Sequence, residues 1–317
     1  MERNSMDYLE IYTSTGNKLV HHPVVVNKIK RENKGTPVSI SVGPTSRCNL
    51  NCSFCSNANR TKHEDLDREE LITILGKLRV LGLKTIEMTG GGDPTMYEHI
   101  NFIIAFAEKI GLEQGMITNG ILLREKVTQE NLNRLKWLRI SMNCLDYVWA
   151  VDIPKIKGTL GFSYVMNVNT SESVLKNLHE HVEKYNPKYV RIVTNCLATD
   201  EEQRFNNNKY GAMVEKMGPP YFYQPKEFQH SNNCYWCYFK PFLLHDGYVY
   251  PCSSVVLNSD ANGKFHEKYR WCKMTELSKL YEEKMKSFDT SNCNHCVFKS
   301  QNDLVDMILN PSMENFV

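Results

Sequence analysis

Three cysteines stand close together in the run Cys48-Asn49-Leu50-Asn51-Cys52-Ser53-Phe54-Cys55, a C-x3-C-x2-C spacing. Thiolates are the usual ligands of iron–sulfur clusters, and a four-iron cluster normally takes four. Three cysteines on one loop can each hold one iron of a cube and leave the fourth iron open, as substrate chemistry at a metal requires. Asn49 and Asn51 suit the tight backbone, because asparagine tolerates left-handed conformations. A zinc site is the alternative, although only His63 lies near enough in sequence to supply a fourth ligand. A second group, Cys234, Cys237, Cys252, Cys272, Cys293 and Cys296, crowds the last third of the chain. Its two C-x2-C pairs suit either a cluster or a zinc ribbon. Cys144 and Cys196 stand alone between the groups.

The elements that position these thiols alternate along the chain. Val38 to Gly43 reads as a strand leading straight into the first cysteine loop, and Asp67 to Val80 as a helix with an acidic first turn. Lys84 to Thr89 is a strand ending in a glycine run. Tyr97 to Lys109 is helical, Gly115 to Thr118 a short strand, and Arg124 to Leu135 helical again. Strands follow at Trp137 to Met142, Thr159 to Met166 and Tyr189 to Thr194, with a helix over Ser171 to Tyr185. Such alternation predicts right-handed βαβ units and a parallel sheet. About six units fit before residue 220, too few for a closed eight-stranded barrel. Past Gly218-Pro219-Pro220 the composition changes, and Asp246-Gly247 between two apolar runs predicts a hairpin. The expected division is a leader over 1–37, a partial barrel over 38–220 and a small cysteine-rich α+β domain over 221–317.

Composition narrows the function classes. The chain has 317 residues, of which 41% are hydrophobic and 23% charged, as in an ordinary globular protein. With 38 basic and 36 acidic residues the net charge is +2, so charge gives no reason to expect a polyanion partner. The opening residues lack the apolar core of a secretory signal, and no run is long enough to span a bilayer. These features predict a cytoplasmic protein without a membrane partner, in which eleven cysteines point to metal or redox chemistry before disulfides.

The C-x3-C-x2-C loop, with an aromatic residue before its last cysteine and a strand before its first, resembles that of the radical S-adenosylmethionine (SAM) superfamily. The resemblance implies that Cys48, Cys52 and Cys55 hold a [4Fe–4S] cluster whose fourth iron is chelated by SAM, with Phe54 against the adenine. It further implies reductive cleavage of SAM to a 5′-deoxyadenosyl radical, which abstracts hydrogen from a substrate. Gly90-Gly91-Gly92-Asp93-Pro94 is similar to the family's Gly-Gly-Glu-Pro segment, whose backbone binds the SAM amino group, with Asp93 where Glu is usual. Asn119, in Thr118-Asn119-Gly120, and Ser141 and Asn143 close the next two strands, where the family places ribose and carboxylate contacts. Ligands gather at such strand ends in parallel α/β folds. The resemblance covers roughly residues 38 to 195.

Cys237-x9-Gly247-x4-Cys252, followed by Cys293-x2-Cys296, resembles a twitch domain, the shorter relative of the SPASM domain. It implies one auxiliary [4Fe–4S] cluster held by Cys237, Cys252, Cys293 and Cys296. Cys234 competes for the same site, and Cys272 reads as an ordinary thiol. Cys144 and Cys196 each follow a strand; a hydrogen-atom donor is one reading and a small buried apolar residue the preferred one. Arg191 and Tyr164 are candidates for an anionic substrate, with a role at the edge of the core preferred. Glu276 to Lys286 reads as a solvated helix face. The expected protein is therefore a partial (β/α)6 TIM-like barrel with a twitch-like iron–sulfur domain. Its electron donor would be a flavodoxin or ferredoxin. The substrate expected is a small molecule or nucleotide-derived group, ahead of a nucleic-acid-attached base or a ribosomal peptide. The alternative is a non-enzymatic, zinc-stapled binding protein.

Overall fold

The computed structural model describes residues 5–58, 63–225, 229–254, 267–293 and 296–311. Its centre is a run of six parallel strands: β1 (Ser39–Gly43), β2 (Thr85–Met88), β3 (Glu113–Thr118), β4 (Trp137–Ser141), β5 (Thr159–Met166) and β6 (Tyr189–Thr194). The helices α3 (Arg68–Leu81), α4 (Ile100–Lys109) and α7 (Glu172–Tyr185) cover them, and α8 (Asp200–Met217) follows β6. The open, mixed α/β sheet agrees with the partial barrel expected from the sequence.

Alternation along the strands sorts side chains between two faces. Ile86, Met88, Leu138, Ile140, Val190 and Ile192 are buried on the helix side, each at 1% exposure or less. Their neighbours Glu87, Arg139 and Arg191 line a cavity on the other side. Helix α3 shows how the outer layer is specified. The Asp67 carboxylate accepts the Glu70 amide at 2.8 Å, Leu71, Ile74, Leu75 and Leu78 form the buried stripe, and Gly82 ends the helix at φ +116°. Burying one such leucine stabilises the fold by roughly 1.5–3 kcal/mol.

Three features differ from expectation. The segment from Arg124 to Leu135 breaks into α5 (Leu123–Lys126) and α6 (Gln129–Leu132), because Thr128 takes extended backbone and caps the second piece. The sheet does not stop at residue 220. Strand β7 (Tyr221–Tyr223) pairs with β6, and at the other edge β8 (Phe242–Leu244) runs parallel to β1. With β9 (Tyr248–Tyr250) and β10 (Cys272–Lys273) this completes a 10-stranded sheet. The predicted hairpin is present, with Gly247 at φ +76°. Finally, Met274–Tyr281 is a 3-10 helix that buries Leu277 and Tyr281, so this stretch is not simply a solvated face.

The leader is ordered into α1 (Ser5–Tyr12) and α2 (Pro23–Glu32) and lies over the N-terminal end of the strands. Tyr12 stacks on Tyr189 with ring centroids 4.2 Å apart, and its carbonyl accepts a hydrogen bond from Arg139 Nη2 at 2.9 Å. Gln301, on α9 (Lys299–Leu309), donates to the Ser14 carbonyl at 3.1 Å and so ties the leader to the C-terminal region. Among the described residues no helix is long and apolar enough to cross a membrane.

Candidate functional site

The first cysteine loop leaves the C-terminal end of β1 and is fixed at its base. Ser46 N donates to the Glu64 carbonyl and Glu64 N to Ser46 Oγ, both at 2.8 Å, while Thr45 and Arg47 bond the Asp65 carboxylate. The glycine run packs directly on this base. Gly92 N donates to the Thr45 carbonyl at 2.6 Å and Asp93 N to the Arg47 carbonyl at 2.8 Å. A Cβ on Gly92 would stand 1.9 Å from the Arg47 oxygen, and one on Gly91 2.6 Å from a carbon of His245. These two glycines therefore let one loop seat against its neighbours, whereas Gly90 lines the cavity. Gly92→Ala is expected to displace the cysteine loop, costing about 1–3 kcal/mol. Thermal unfolding of the reconstituted protein measures it.

Within the loop, Cys55 N donates to the Cys52 carbonyl at 3.1 Å, and Phe54 is buried. Cys48 Sγ accepts from Leu50 N at 3.5 Å and from Asn119 Nδ2 at 3.9 Å. Asn119 Nδ2 also donates to Asn49 Oδ1 at 2.7 Å, joining the β3 end to the cysteine loop. Burial pushes the Cys52 thiol up to about 11; a hydrogen bond with Tyr147 opposes the rise, and Cys55 and Cys48 add to it. Clustered thiolates repel one another, and bound iron would offset that repulsion. Among the described residues no three His, Cys, Asp or Glu side chains converge as ligands of one ion. A four-iron cube holds its thiolates on separate irons, and three thiols on one loop are the donor set it takes with one iron left open. His63, the nearest candidate for a zinc ligand, is exposed.

Three residues expected to touch SAM, Asp93, Asn119 and Asn143, are engaged within the protein; the Asn119 amide, besides its bond to Asn49, accepts Ile121 N at 3.0 Å. The Asp93 carboxylate accepts Thr95 N at 3.0 Å, Thr95 Oγ1 at 2.6 Å, Thr118 Oγ1 at 2.9 Å and Asn119 N at 2.7 Å. It locks the glycine loop to the β3 end, because a short buried carboxylate takes the donors nearest to it. Asn143 donates to the Val165 carbonyl at 2.9 Å and to Asp146 at 3.1 Å, and accepts Val165 N at 2.8 Å. The reciprocal pair with Val165 thereby braces β5, and the second N–H bonds Asp146. Ser141 closes β4 in register with Ser163 and is half-buried. Tyr164 lies on the helix face, bonded to Asp146 at 2.7 Å.

The cavity measures about 1600 Å³ and runs from Ser56 and Asn57 beside the first cysteine loop to Ser253, Ser254 and Cys296 near the second group. Cys196 lines it. Cys144 is fully buried, and burial pushes its thiol up to about 12. Sequence reasoning overlooked Glu87, Arg139 and Lys240 inside this cavity. Lys240 pairs with Glu87 at 3.2 Å. Burial pulls the Glu87 carboxyl up, but Lys240 and Arg139 outweigh it and hold the group below its ordinary range.

In the C-terminal group, Cys234 interacts with every other candidate. Its thiol is pushed well up, first by a hydrogen bond with Cys237 and then by burial. Burial raises Cys252 to about 12 and Cys293 to about 11, and Cys234 is the next contributor to each; Cys296 is likewise raised, with Cys234 among the causes. Cys237 turns into the core on the 3-10 segment Trp236–Tyr238, is 0% exposed, and acts on Tyr281 and Tyr238. Of the expected set, Cys252, Cys293 and Cys296 are each influenced by Cys234, while Cys237 is hydrogen-bonded with Cys234 and fully buried. Cys272 sits apart on β10.

Comparison with known proteins places these features in context. Residues 42–193 match the radical SAM superfamily. The GTP 3',8-cyclase of Clostridium perfringens (strain SM101) is 32% identical over 127 residues, spanning 38% of this chain and 39% of the relative. The match therefore covers well under half of that relative's length. The GTP 3',8-cyclase of Campylobacter fetus is 27% identical over 235 residues, 67% of this chain and 70% of the relative. Among solved structures, Streptococcus suis SuiB bound to precursor peptide SuiA superposes with a TM-score of 0.55 at 16% identity, covering 97% of this chain and 84% of that one. Native anSMEcpe with bound AdoMet and a peptide gives 0.53 at 15% identity, over 88% and 85%. Likeness at this level concerns the fold alone.

Proposed function

Because residues 42–193 of this chain are a radical SAM domain, we propose that the protein is an enzyme that cleaves SAM reductively and abstracts hydrogen from a substrate held in the barrel cavity. The observation that carries this reading is the cysteine loop itself. It stands at the C-terminal end of β1, is stitched to the glycine run and to Asn119, and borders a cavity long enough to hold a substrate.

Cys48, Cys52 and Cys55 would hold a [4Fe–4S] cluster with one iron left to SAM. When bound, that group supplies one electron, which breaks a C–S bond of the sulfonium and gives methionine and the 5′-deoxyadenosyl radical. The protein's own residues hold and orient the reactants. The Gly90 backbone is open to the SAM amino group, Asn119 and Ser141 stand at the strand ends for its polar groups, and Phe54 offers an apolar face. Asp93 and Asn143 act from behind, holding the glycine loop, the β3 end and β5 in place. A substrate held in the cavity would present a C–H bond to that radical, yielding 5′-deoxyadenosine. The net outcome is oxidation, rearrangement or epimerisation.

A second [4Fe–4S] cluster is proposed at Cys234, Cys252, Cys293 and Cys296, bordering the same cavity at Cys296 and Ser254. The proposed setting is the cytoplasm, with a flavodoxin or ferredoxin as reductant. Similarity to GTP 3',8-cyclases supports a small-molecule substrate over a peptide. Anaerobic reconstitution followed by metal analysis tests the cluster content. About eight irons per chain with matching sulfide is the expected result. Stoichiometric zinc with little iron would replace the enzyme with a zinc-stapled binding protein.

A further inference from the structure

The cavity holds an excess of positive charge that the protein itself only partly neutralises. Its lining includes the cations Lys18, Arg139, Arg191 and Lys240 around the carboxylate of Glu87; Lys136 and Glu113, which also line it, pair with each other at 3.8 Å. Three of the four have partners. Lys240 pairs with Glu87 at 3.2 Å. Arg139 donates to the Tyr189 hydroxyl at 3.0 Å and to the Tyr12 carbonyl at 2.9 Å, and lies over the rings of Trp137 and Tyr189. Lys18 donates to the carbonyls of Ile11 and Thr13 at 3.1 and 2.6 Å.

Arg191 differs. Among the described residues its guanidinium makes one hydrogen bond, from Nη1 to Gln224 Oε1 at 3.0 Å. Among the described residues its Nε is inaccessible to solvent and has no acceptor, and no carboxylate lies within ion-pair distance of it. It stands on β6 in register with Ser163 and Phe222, two residues beyond Tyr189, which contacts Arg139 and Tyr12. Burial pushes the guanidinium down to about 9 and Arg139 adds to the effect, while Tyr189, Glu87 and Cys196 offset it only in part. Taking a cation out of water without a counter-ion destabilises a fold. A guanidinium with vacant donors in a cavity is matched in shape and charge to an oxyanion.

We propose that Arg191 is the receptor for an oxyanion of the substrate, a phosphate or a carboxylate, and that the enzyme acts on an anionic small molecule. This rests on the reading that substrate enters the barrel cavity. The anion would be anchored by Arg191, in a cavity whose other cations are already engaged, while the rest of the molecule extends toward the cysteine loop.

The test uses the reconstituted holoprotein and two probes, inorganic pyrophosphate and succinate, each titrated in a low-salt buffer while thermal unfolding is followed. The expected result is a rise of a few degrees in Tm with at least one probe. A response to pyrophosphate alone identifies a phosphorylated substrate, and a response to succinate alone a carboxylic acid. Arg191→Met should abolish the response. Without a probe it should unfold no earlier than the wild type, because a buried cation that is only partly compensated is gone. Wild-type protein that responds to neither probe overturns the proposal. So does an equal response in wild type and Arg191→Met, or an unliganded Arg191→Met that unfolds well below wild type, which is the signature of a structural arginine. Formation of 5′-deoxyadenosine by the wild type is measured on the same preparation. Its absence would sink the radical reading without touching the anion site, and its presence beside a missing anion response would sink only the latter.

Discussion

Cys52→Ala is expected to lower 5′-deoxyadenosine formation at least about a thousandfold, equivalent to roughly 4 kcal/mol of lost transition-state stabilisation. Iron content should fall from about eight to about four per chain. The size of the effect follows from the geometry of the loop. Three thiols serve one cube, so removing any one leaves two, too few to hold a cluster that must also keep an iron open for SAM. Cys52 lies between the other two in sequence, and its carbonyl accepts the Cys55 amide. The fold should survive the change, because Cys52 is only half-buried and the loop base is held by Ser46, Glu64, Thr45 and Asp65. Circular dichroism of the variant checks this, while chromatography and iron analysis read the loss.

Paired substitutions in the C-terminal group carry the second large effect. Cys234→Ala should remove about four irons and leave those of the first loop in place, whereas Cys237→Ala should retain about eight. The reason is the direction of each thiol. Cys234 acts electrostatically on Cys252, Cys293 and Cys296, which come from the hairpin and from the second C-x2-C segment. Cys237 sits three residues on, but the 3-10 turn at Trp236–Tyr238 sends it into the apolar core beside Tyr281. Its replacement is a core truncation, costing about 1 kcal/mol in stability. Electron paramagnetic resonance of the reduced variants separates the two clusters. Retention of both signals in Cys234→Ala, with loss of one in Cys237→Ala, would reverse the assignment.

How much of this could be read from the chain depended on the range over which each feature is determined. Local patterns were legible. The Asp67 cap and its leucine stripe mark α3, the β-branched run marks β1, and Asp246-Gly247 marks the hairpin. Long-range pairing was not legible: nothing in Phe242–Leu244 says that it lies parallel to β1, so the boundary at 220 cut a sheet that continues on both edges. At the site, sequence located the strand ends but not the direction of their side chains. Asp93 and Asn143 stand where ligand contacts were expected, yet find nearer partners in Thr95, Thr118 and Val165. The charged cavity did leave a signal. Glu87, Arg139 and Arg191 each interrupt an otherwise apolar strand at an alternating position, and a lone charge in such a strand must face a cavity or a partner. The competition between Cys234 and Cys237 is not legible locally, because the two stand three residues apart in one C-x2-C pair.

The central claim is that this chain initiates radical chemistry from SAM at its first cysteine loop. The most direct measurement is to incubate anaerobically reconstituted wild-type protein with SAM and dithionite and to quantify 5′-deoxyadenosine and methionine. Equal amounts of both, at or above one per protein and absent without reductant, are the predicted result. Intact SAM after prolonged reduction, in protein whose iron and sulfide are fully incorporated, would contradict it.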